Sequence, residues 1–537
     1  MEMKLAHPPS SASPTLASPE LRDTLEREIL PKYLPTRRWF AGKARTVRRM
    51  SIAEWFPLPI AGEEFFLACI RVEYVEGADE TYLLPLGVQA AAAFSPDSQP
   101  DLVTNLGVAV YDATVSERFR SELLRLMSTE DICPSADGAS IAGVRGRRLN
   151  SVQASLPSRV LSVEQSNSSM IFGEEIFVKL YRKLEEGMNP DVEITRCLTE
   201  RRGFTGAPPF LGALELRAPG REPRVLALAQ QLVPNQGDAW SLTQREVASF
   251  YSRTAAPDLD PQRILLLPLL GPQPAETPLT ALVGPFGTRA RQLGARTAQM
   301  HLALAQETED PDFTPEPSTR GDLEHLADAN RAGLQKLAAS LAKKQTEFQG
   351  RVADLAAQVL AAAPSLASQT ATFVTDPIRI LKTRTHGDYH LGQVLDTGAD
   401  FMIIDFEGEP QRSLAERRRK HSPLRDVAGM LRSFHYAAHS ALMSGESTPG
   451  RAAWGEHWSA YVCRQFLDGW LETAAGAGFL PSEETRRNLL QALLLEKAIY
   501  EVFYELNNRP AWVSIPLGGI LQLAQATSES PGAEKLA

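Results

Sequence analysis

Cysteine is scarce in this chain. Cys69, Cys133, Cys197 and Cys463 are the four among 537 residues, and they are scattered without metal-ligand spacing. A chain of this size needs no disulfide staples, so a reducing cytoplasm is the expected compartment. Long apolar runs are missing too. No stretch approaches the roughly 18 uninterrupted apolar residues of a spanning helix, so no membrane role is expected. The opening residues, rich in Ser, Pro and Ala, lack the apolar centre of a signal peptide. Basic residues are outnumbered, 56 Lys plus Arg against 65 Asp plus Glu, for a formal charge of −9. That argues against broad nucleic-acid binding, which wants a basic footprint. It leaves room for a local basic pocket.

What is present fits a folded protein with substantial cores. Hydrophobic content of 43% and charged content of 23% are near globular averages. The length allows two or three domains of about 100–200 residues each.

The most informative stretch runs from Arg384 to Glu409. It reads Arg384-Thr-His-Gly-Asp-Tyr-His-Leu-Gly-Gln-Val-Leu395, a short turn, then Phe401-Met-Ile-Ile-Asp-Phe-Glu-Gly-Glu409. Asp388 and Asp405 each follow a short apolar or β-prone run, and Gln393 lies five residues past the first. Phosphoryl transfer needs such a set: one carboxylate to orient the attacking hydroxyl, and oxygen ligands for magnesium on the phosphates. The spacing matches the kinase catalytic loop, His-x-Asp-x-x-x-x-Asn, followed by an Asp-Phe-Gly metal site, with Gln for Asn and Glu for Gly. The bland reading is a hairpin with Asp and Gly in its turns. The ordered combination favours the kinase reading.

Upstream, residues 1–19 read as a disordered tail. Ser18-Pro19 starts a helix with Ser as cap, and Leu21, Leu25, Ile29 and Leu30 supply its apolar face before Pro35. Leu34 to Lys43 reads as a turn anchored by Trp39 and Phe40, with Arg38 and Lys43 at the surface. Phe65 to Val75 and Thr81 to Val88 read as antiparallel strands, and Gln89 to Pro100 as a loop. Ser116 to Met127 reads as a helix. Arg159 to Glu164, Met170 to Phe172 and Ile176 to Tyr181 form a three-strand meander. Lys179 lies in its last strand; such a lysine is often an edge charge. A helix from Asp191 carries Glu193, fourteen residues after Lys179. Kinases place their phosphate lysine on such a strand, paired to a helix glutamate. The polar turn Ser166, Asn167, Ser168 falls where a phosphate-covering loop belongs, although it lacks Gly-x-Gly. Gln231 to Val233, leaving the strand Val225 to Asn235, stand where a hinge offers backbone groups to adenine.

From Ala239 onward the pattern is helical, with a Pro/Leu-rich insert at 257–285. Gly287 to Leu304 and Asp322 to Ala363 are long helical patterns without a strict heptad. His301 reads as a packed core histidine. The run Arg412, Arg417, Arg418, Arg419, Lys420 is a solvated face or a phosphate contact. Asp426, near the start of the next helix, is placed to accept amide hydrogen bonds and brace the catalytic loop. Glu496, Lys497, Tyr500, Glu501, Tyr504 and Glu505 recur at three- and four-residue spacing. That is either a face of ordinary ion pairs or a sugar site, in which aromatic faces stack on pyranose rings and charged groups bind hydroxyls.

His386 to Leu395, Asp405 to Pro410 and Leu414 to Phe434 resemble bacterial maltokinases. The resemblance extends to Arg38 to Lys43, Gln165 to Ser169, Leu495 to Glu501 and Arg509-Pro510, and so spans nearly the whole chain. It implies an α+β, two-lobed, eukaryotic-kinase-like and aminoglycoside-phosphotransferase-like fold. The implied divisions are an N-terminal cap domain at 20–115, an intermediate region and kinase N-lobe at 116–234, and a mostly helical C-lobe at 235–537. It implies ATP and magnesium as cofactors and maltose 1-phosphate as product, in trehalose-to-α-glucan metabolism. Asp388 then looks like the catalytic base, Gln393 and Asp405 like magnesium ligands, and Lys179 like the phosphate lysine with Glu193 as its partner. Lys497, Tyr500, Glu501 and Tyr504 become sugar-binding candidates, joined by His390 beside the base. A monomer is expected, with association to trehalose synthase an open partner, since some relatives are fused to one. A related branch phosphorylates glucosamine, and the catalytic motifs do not separate the two. An aminoglycoside or other small-molecule phosphotransferase, or a non-catalytic kinase-like scaffold, are the remaining alternatives.

Overall fold

The computed structural model describes residues 18–60, 64–90, 102–103, 108–135, 138–161, 166–255, 259–266, 269–270, 277–370, 380–443 and 449–528. Most of the expected tail, the loop at 91–100, Gln165 and parts of 257–285 lie outside the described residues. The chain divides into two compact units, Met1–Arg201 with Pro208–Val233, and Arg202–Ala207 with Pro234–Ala537.

The first unit opens with α1 (Pro19–Thr24), a π turn (Leu25–Ile29) and α2 (Leu30–Tyr33) in succession. Pro19 sits at the first helical position, but Ser18 makes no side-chain cap bond, contrary to the expected cap. A first antiparallel sheet holds β1 (Val47–Leu58), β2 (Glu64–Tyr74), β3 (Glu80–Ala90), β4 (Leu102–Val103) and β5 (Val108–Asp112), in the order β1-β2-β3-β5-β4. The long β1 was not legible in the sequence: its inward residues alternate with Arg49, Glu54 and Pro57, which obscure the run. One face of this sheet buries Leu21, Leu25 and Leu30 of the opening helices.

α3 (Glu117–Thr129) begins at Ser116, whose hydroxyl accepts from Phe119 N. It packs on a second, seven-stranded sheet made of β6 (Ile132–Pro134), β7 (Ser140–Arg145), β8 (Ser158–Val160), β9 (Asn167–Phe172), β10 (Ile176–Tyr181), β12 (Phe210–Arg217) and β13 (Arg224–Gln231). The order is β6-β7-β12-β13-β10-β9-β8. The expected meander is therefore one end of a wider sheet. β10 lies between β9 and β13, with Lys179 opposite Ser169 on one side and Leu228 on the other. Lys179 is 8% exposed, which excludes the edge-charge reading. After it, β11 (Lys183–Leu184) leaves to pair with β3 of the first sheet. The two sheets share one core, with Phe56, Phe65 and Leu67 meeting Leu123, Met170 and Val178.

The second unit is mostly helical: α5 (Ala239–Arg253), α6 (Pro278–Val283), α7 (Phe286–Leu304), α8 (Arg320–Lys343), α9 (Gly350–Gln369), α10 (Leu414–Arg417), α11 (Leu424–Met443), α12 (Pro449–Thr473), α13 (Glu483–Asn508) and α14 (Ser514–Ser528). The long pattern from Asp322 is two helices, α8 and α9. Two small ribbons interrupt them, β14 (Glu316–Pro317) with β15 (Leu381–Lys382), and β16 (Val394–Asp396) with β17 (Phe401–Ile403). Among the described residues, no helix is long and apolar enough to cross a membrane.

α7 and α12 cross backbone to backbone. A Cβ on Gly294 would stand 1.9 Å from the Phe466 carbonyl oxygen, and one on Gly469 2.0 Å from that of Arg291. Backbone cannot yield as a flexible side chain can, so Gly294→Ala forces the helices apart. Overpacking of this kind costs about 1–3 kcal/mol. Urea denaturation of Gly294→Ala is expected to show a loss of that size, and an unchanged midpoint would contradict the close crossing.

Candidate active site

The loop from His386 to Gln393 is held by a carboxylate beneath it. Asp426, 1% exposed in the first turn of α11, accepts from His386 N (2.8 Å, Oδ2) and Gly387 N (3.0 Å, Oδ1). His301 of α7 places Nε2 at 3.0 Å from Asp426 Oδ2, and Trp470 of α12 donates Nε1–H to His301 Nδ1 at 3.0 Å. With Nδ1 filled as an acceptor, the His301 proton sits on Nε2 and points at the carboxylate. Burial works against ionisation of Asp426, but the His301 hydrogen bond and the neighbouring imidazole and amide donors outweigh it and hold the carboxyl below its ordinary range. The expected bracing role of Asp426 and core placement of His301 are both what the structure has.

The loop can approach α11 because Gly429 leaves room. A Cβ there would lie 2.6 Å from the Tyr389 carbonyl oxygen. The Tyr389 ring is buried, its hydroxyl 2.9 Å from Thr297 Oγ1. Gly387 adopts φ of +87°, a left-handed conformation that glycine takes without steric cost. His386 links the loop to the second acidic motif through Nε2 and the Ile404 carbonyl, 2.9 Å apart. His390 Nδ1 accepts from Gly392 N at 3.1 Å and so caps the short turn Leu391–Gln393. Burial pushes the His390 imidazole down from its ordinary value, which keeps it neutral as a cap, against the opposing pull of Asp388.

Gln393 and Asp405 converge. Gln393 Nε2 donates to Asp405 Oδ2 at 2.8 Å, and Ile404 N donates to the Gln393 carbonyl at 3.0 Å. Asp405 has φ of +67°, sparsely populated for a residue with a side chain. Strained backbone of this kind concentrates at functional sites, where the surroundings over-determine it. The pair offers amide and carboxylate oxygens, the hard donors that magnesium takes.

Beside Asp388 lies Lys497 of α13. Its Nζ is 2.8 Å from Glu409 Oε1 and 3.4 Å from Asp388 Oδ1. Burial disfavours the ammonium, but the Asp388 and Glu409 carboxylates outweigh it and raise the Lys497 pKa. Arg412 Nε contacts the other oxygen of Glu409 at 2.6 Å, and Arg425 Nη2 donates to Glu496 at 2.8 Å. Glu409, Arg412, Arg425, Glu496, Lys497 and Tyr500 line a shared recess. Burial, followed by the Glu409 charge, raises the Tyr500 phenol, so it stays a neutral donor. Tyr500 and Tyr504 stack with ring centroids 6.4 Å apart. Glu501, by contrast, is buried against α11, where Arg432 donates Nε and Nη2 to its Oε2 at 2.9 and 2.7 Å. Glu409 and Arg412 complete the Lys497 environment; their signal was the acidic residue ending Asp405-Phe-Glu-Gly-Glu409 and the first arginine of the basic run. Further along that run, Arg418 pairs with Asp312 at 2.9 Å and Lys420 with Glu316 at 2.6 Å.

In the first unit, Lys179 Nζ lies 3.2 Å from Asp191 Oδ2, and the Tyr181 hydroxyl donates to the same oxygen at 3.0 Å. Asp191 sits in the first turn of α4 (Pro190–Arg196), the helix that also carries Glu193, behind the cap Asn189. Asp191 carries no distinctive signal in the sequence, because an acid in a helix's first turn is ordinary capping chemistry. The supposed polar turn needs correction: Asn167, Ser168 and Ser169 form the start of β9, with Ser166 preceding it. Ser168 Oγ accepts from Arg182 Nε at 2.8 Å. Gln231 N donates to the Pro209 carbonyl at 2.9 Å, Val233 is 9% exposed, and the unit ends there.

Two outcomes follow from this geometry. Asp426→Asn removes the charge that receives both loop amides, at about 1.5–3 kcal/mol for hydrogen bonds to a charged group. Thermal or urea unfolding is expected to show that loss. For Glu409, burial would raise the pKa, but Lys497 and Arg412 hold it at about 2, against an ordinary 4.5. A depressed carboxyl stabilises the fold fully above 4.5 and loses that contribution as pH falls toward 2. The penalty of Glu409→Gln in urea denaturation should therefore be full at neutral pH and shrink through that acid window.

Residues 33–115 match the family described as the maltokinase N-terminal cap domain. A glucosamine kinase of Streptacidiphilus jiangxiensis is 27% identical over 363 residues, covering 67% of this chain and 71% of that protein. A glucosamine kinase of Mycolicibacterium smegmatis is 25% identical over 373 residues, 68% of this chain and 79% of that protein. Among solved structures, a glucosamine kinase in complex with glucosamine, ADP and inorganic phosphate superposes with a TM-score of 0.62 at 20% identity, over 95% of this chain and 100% of that one. A second crystal form of a glucosamine kinase gives 0.62 at 21% identity, over 92% and 97%. The chain is thus similar to sugar kinases, with a segment near its N-terminal end that matches the maltokinase cap domain and glucosamine kinases among its relatives.

Proposed function

We propose that this protein is an ATP- and magnesium-dependent sugar kinase whose acceptor is maltose. The kinase part rests on Asp388, Gln393 and Asp405 in one braced loop system, and on glucosamine kinases among the relatives. Asp388 orients the sugar's anomeric hydroxyl and takes up its proton as it attacks the γ-phosphate. Gln393 and Asp405 would hold magnesium, which when bound would offset charge developing on the phosphates. Lys179, supported by Asp191 and Glu193, neutralises phosphate charge, and the backbone from Gln231 to Val233 meets adenine. Ser166 and Asn167 border the phosphates, while Ser168 supports Arg182.

The observation that carries the acceptor assignment is Lys497, held between Asp388 and Glu409 with Arg412 behind it. An uncharged sugar meets no like charge there and finds donors on Lys497 and Tyr500 for its hydroxyls. Tyr504 extends the aromatic face for a second ring, His390 shapes the loop beside the base, and Glu501 acts through Arg432. The ammonium of glucosamine would face Lys497 directly. Glucosamine is the second reading, favoured by the names of the relatives.

Comparison of maltose, glucosamine, glucose and kanamycin in a magnesium-dependent ATP-consumption assay separates these readings. Maltose is expected to give the highest kcat/KM; a preference for glucosamine moves the assignment to the second reading. Asp388→Asn should lower turnover by about 10²–10⁴-fold while ATP binding survives. Near-normal turnover by that variant would sink the catalytic assignment.

A further inference from the structure

A second group of ligating side chains lies on the other part of α11. His435 and His439 are four residues apart, so their imidazoles share one face of the helix. Glu456 reaches them from α12, and one ligand atom from each of the three lies within 4.8 Å of the others. The imidazole centroids are 4.3 Å apart, and His439 Nε2 is 3.2 Å from Glu456 Oε1. The histidines are 6% and 8% exposed. Even so, His435 Nε2 has no hydrogen-bond partner, and His439 Nε2 has only its Glu456 contact. Buried polar atoms are nearly always satisfied, so an orphaned imidazole nitrogen inside a ligating cluster calls for an occupant.

The alternative occupant is a water molecule, but two imidazoles converging on a carboxylate form a donor set selective for a transition metal. We propose that His435, His439 and Glu456 form a zinc site that ties α11 to α12. Three protein ligands with a fourth position open to water is a familiar zinc arrangement. The Glu456 side chain is 33% exposed, which gives the ion a way in. Gln522 of α14 donates to the other Glu456 oxygen, an outer bond of the kind that orients a ligating carboxylate. Arg432 is a neighbouring cation, its Nη1 3.3 Å from His435 Nδ1. Its charge is taken up by Glu501, which it contacts at 2.7 Å. Zinc on His435 Nε2 moves the ring proton to Nδ1, so the Arg432 Nη1 contact must lengthen when the metal binds.

The site does not depend on the acceptor assignment, and its test uses zinc itself. The full-length protein is stripped with EDTA, dialysed against zinc sulfate and analysed for metal by mass spectrometry, with cobalt(II) as an optical probe. Bound zinc near one equivalent, intense tetrahedral cobalt bands and a raised Tm are expected. His439→Ala and Glu456→Gln should abolish all three while retaining the wild-type circular dichroism spectrum. Gln522→Ala leaves every ligand in place and should weaken zinc binding by about 10–100-fold. Zinc retained equally by a His435→Ala/His439→Ala double variant would overturn the proposal, as would failure of the folded wild type to take up zinc.

Discussion

The carboxylate of Asp426 is the contact on which the second unit's chemistry depends. It receives both loop amides from above and the imidazole of His301 from the side, and His301 is fixed in turn by the Trp470 indole. A charge this deeply buried is tolerable only with its lone pairs occupied, and here they are. The network draws on α7, α11, α12 and the loop together, so the position of Asp388 is set by helix packing and not by the loop alone. The glycine crossing of α7 and α12 and the missing side chain at Gly429 are what let those backbones come close enough.

Around Asp388 the electrostatics are arranged in opposed layers. Lys497 lies between Asp388 and Glu409, Glu409 lies between Lys497 and Arg412, and Glu496 takes Arg425. Each charge has an opposite neighbour, which keeps Glu409 ionised despite its burial. A recess built this way presents fixed donors and acceptors, each charge offset by a partner. The first unit handles charge differently: Lys179 sits in the middle of a sheet, where desolvation is severe, and Asp191 and Tyr181 share the compensation.

Much of this was legible beforehand because it is local. The spacing from His386 to Gln393, the apolar run before Asp405 and the helix from Asp191 each reflect one element's own geometry. So do the capping of α3 by Ser116 and the strand character of Ile176 to Tyr181. The failures share a cause as well. Asn167 and Ser168 looked like a turn because polar residues dominate them, but pairing with β10 draws them into a strand, where Ser168 Oγ accepts from Arg182. β1 hid behind outward-facing charges, and Asp191 looked like capping until the sheet brought Lys179 to it.

The sequence by itself determined the chemical inventory: the two acidic motifs, the lysine strand, the tyrosine-bearing helix, the scarcity of cysteine and the lack of long apolar runs. These follow from residue identity and short-range periodicity, which a single chain displays directly. Only the tertiary structure decided which of those groups meet. That Glu501 turns to Arg432 while Lys497 turns to Asp388, and that His435 and His439 find Glu456, depends on helices far apart in sequence. Such contacts are fixed by packing between elements, and no periodicity within one element encodes them.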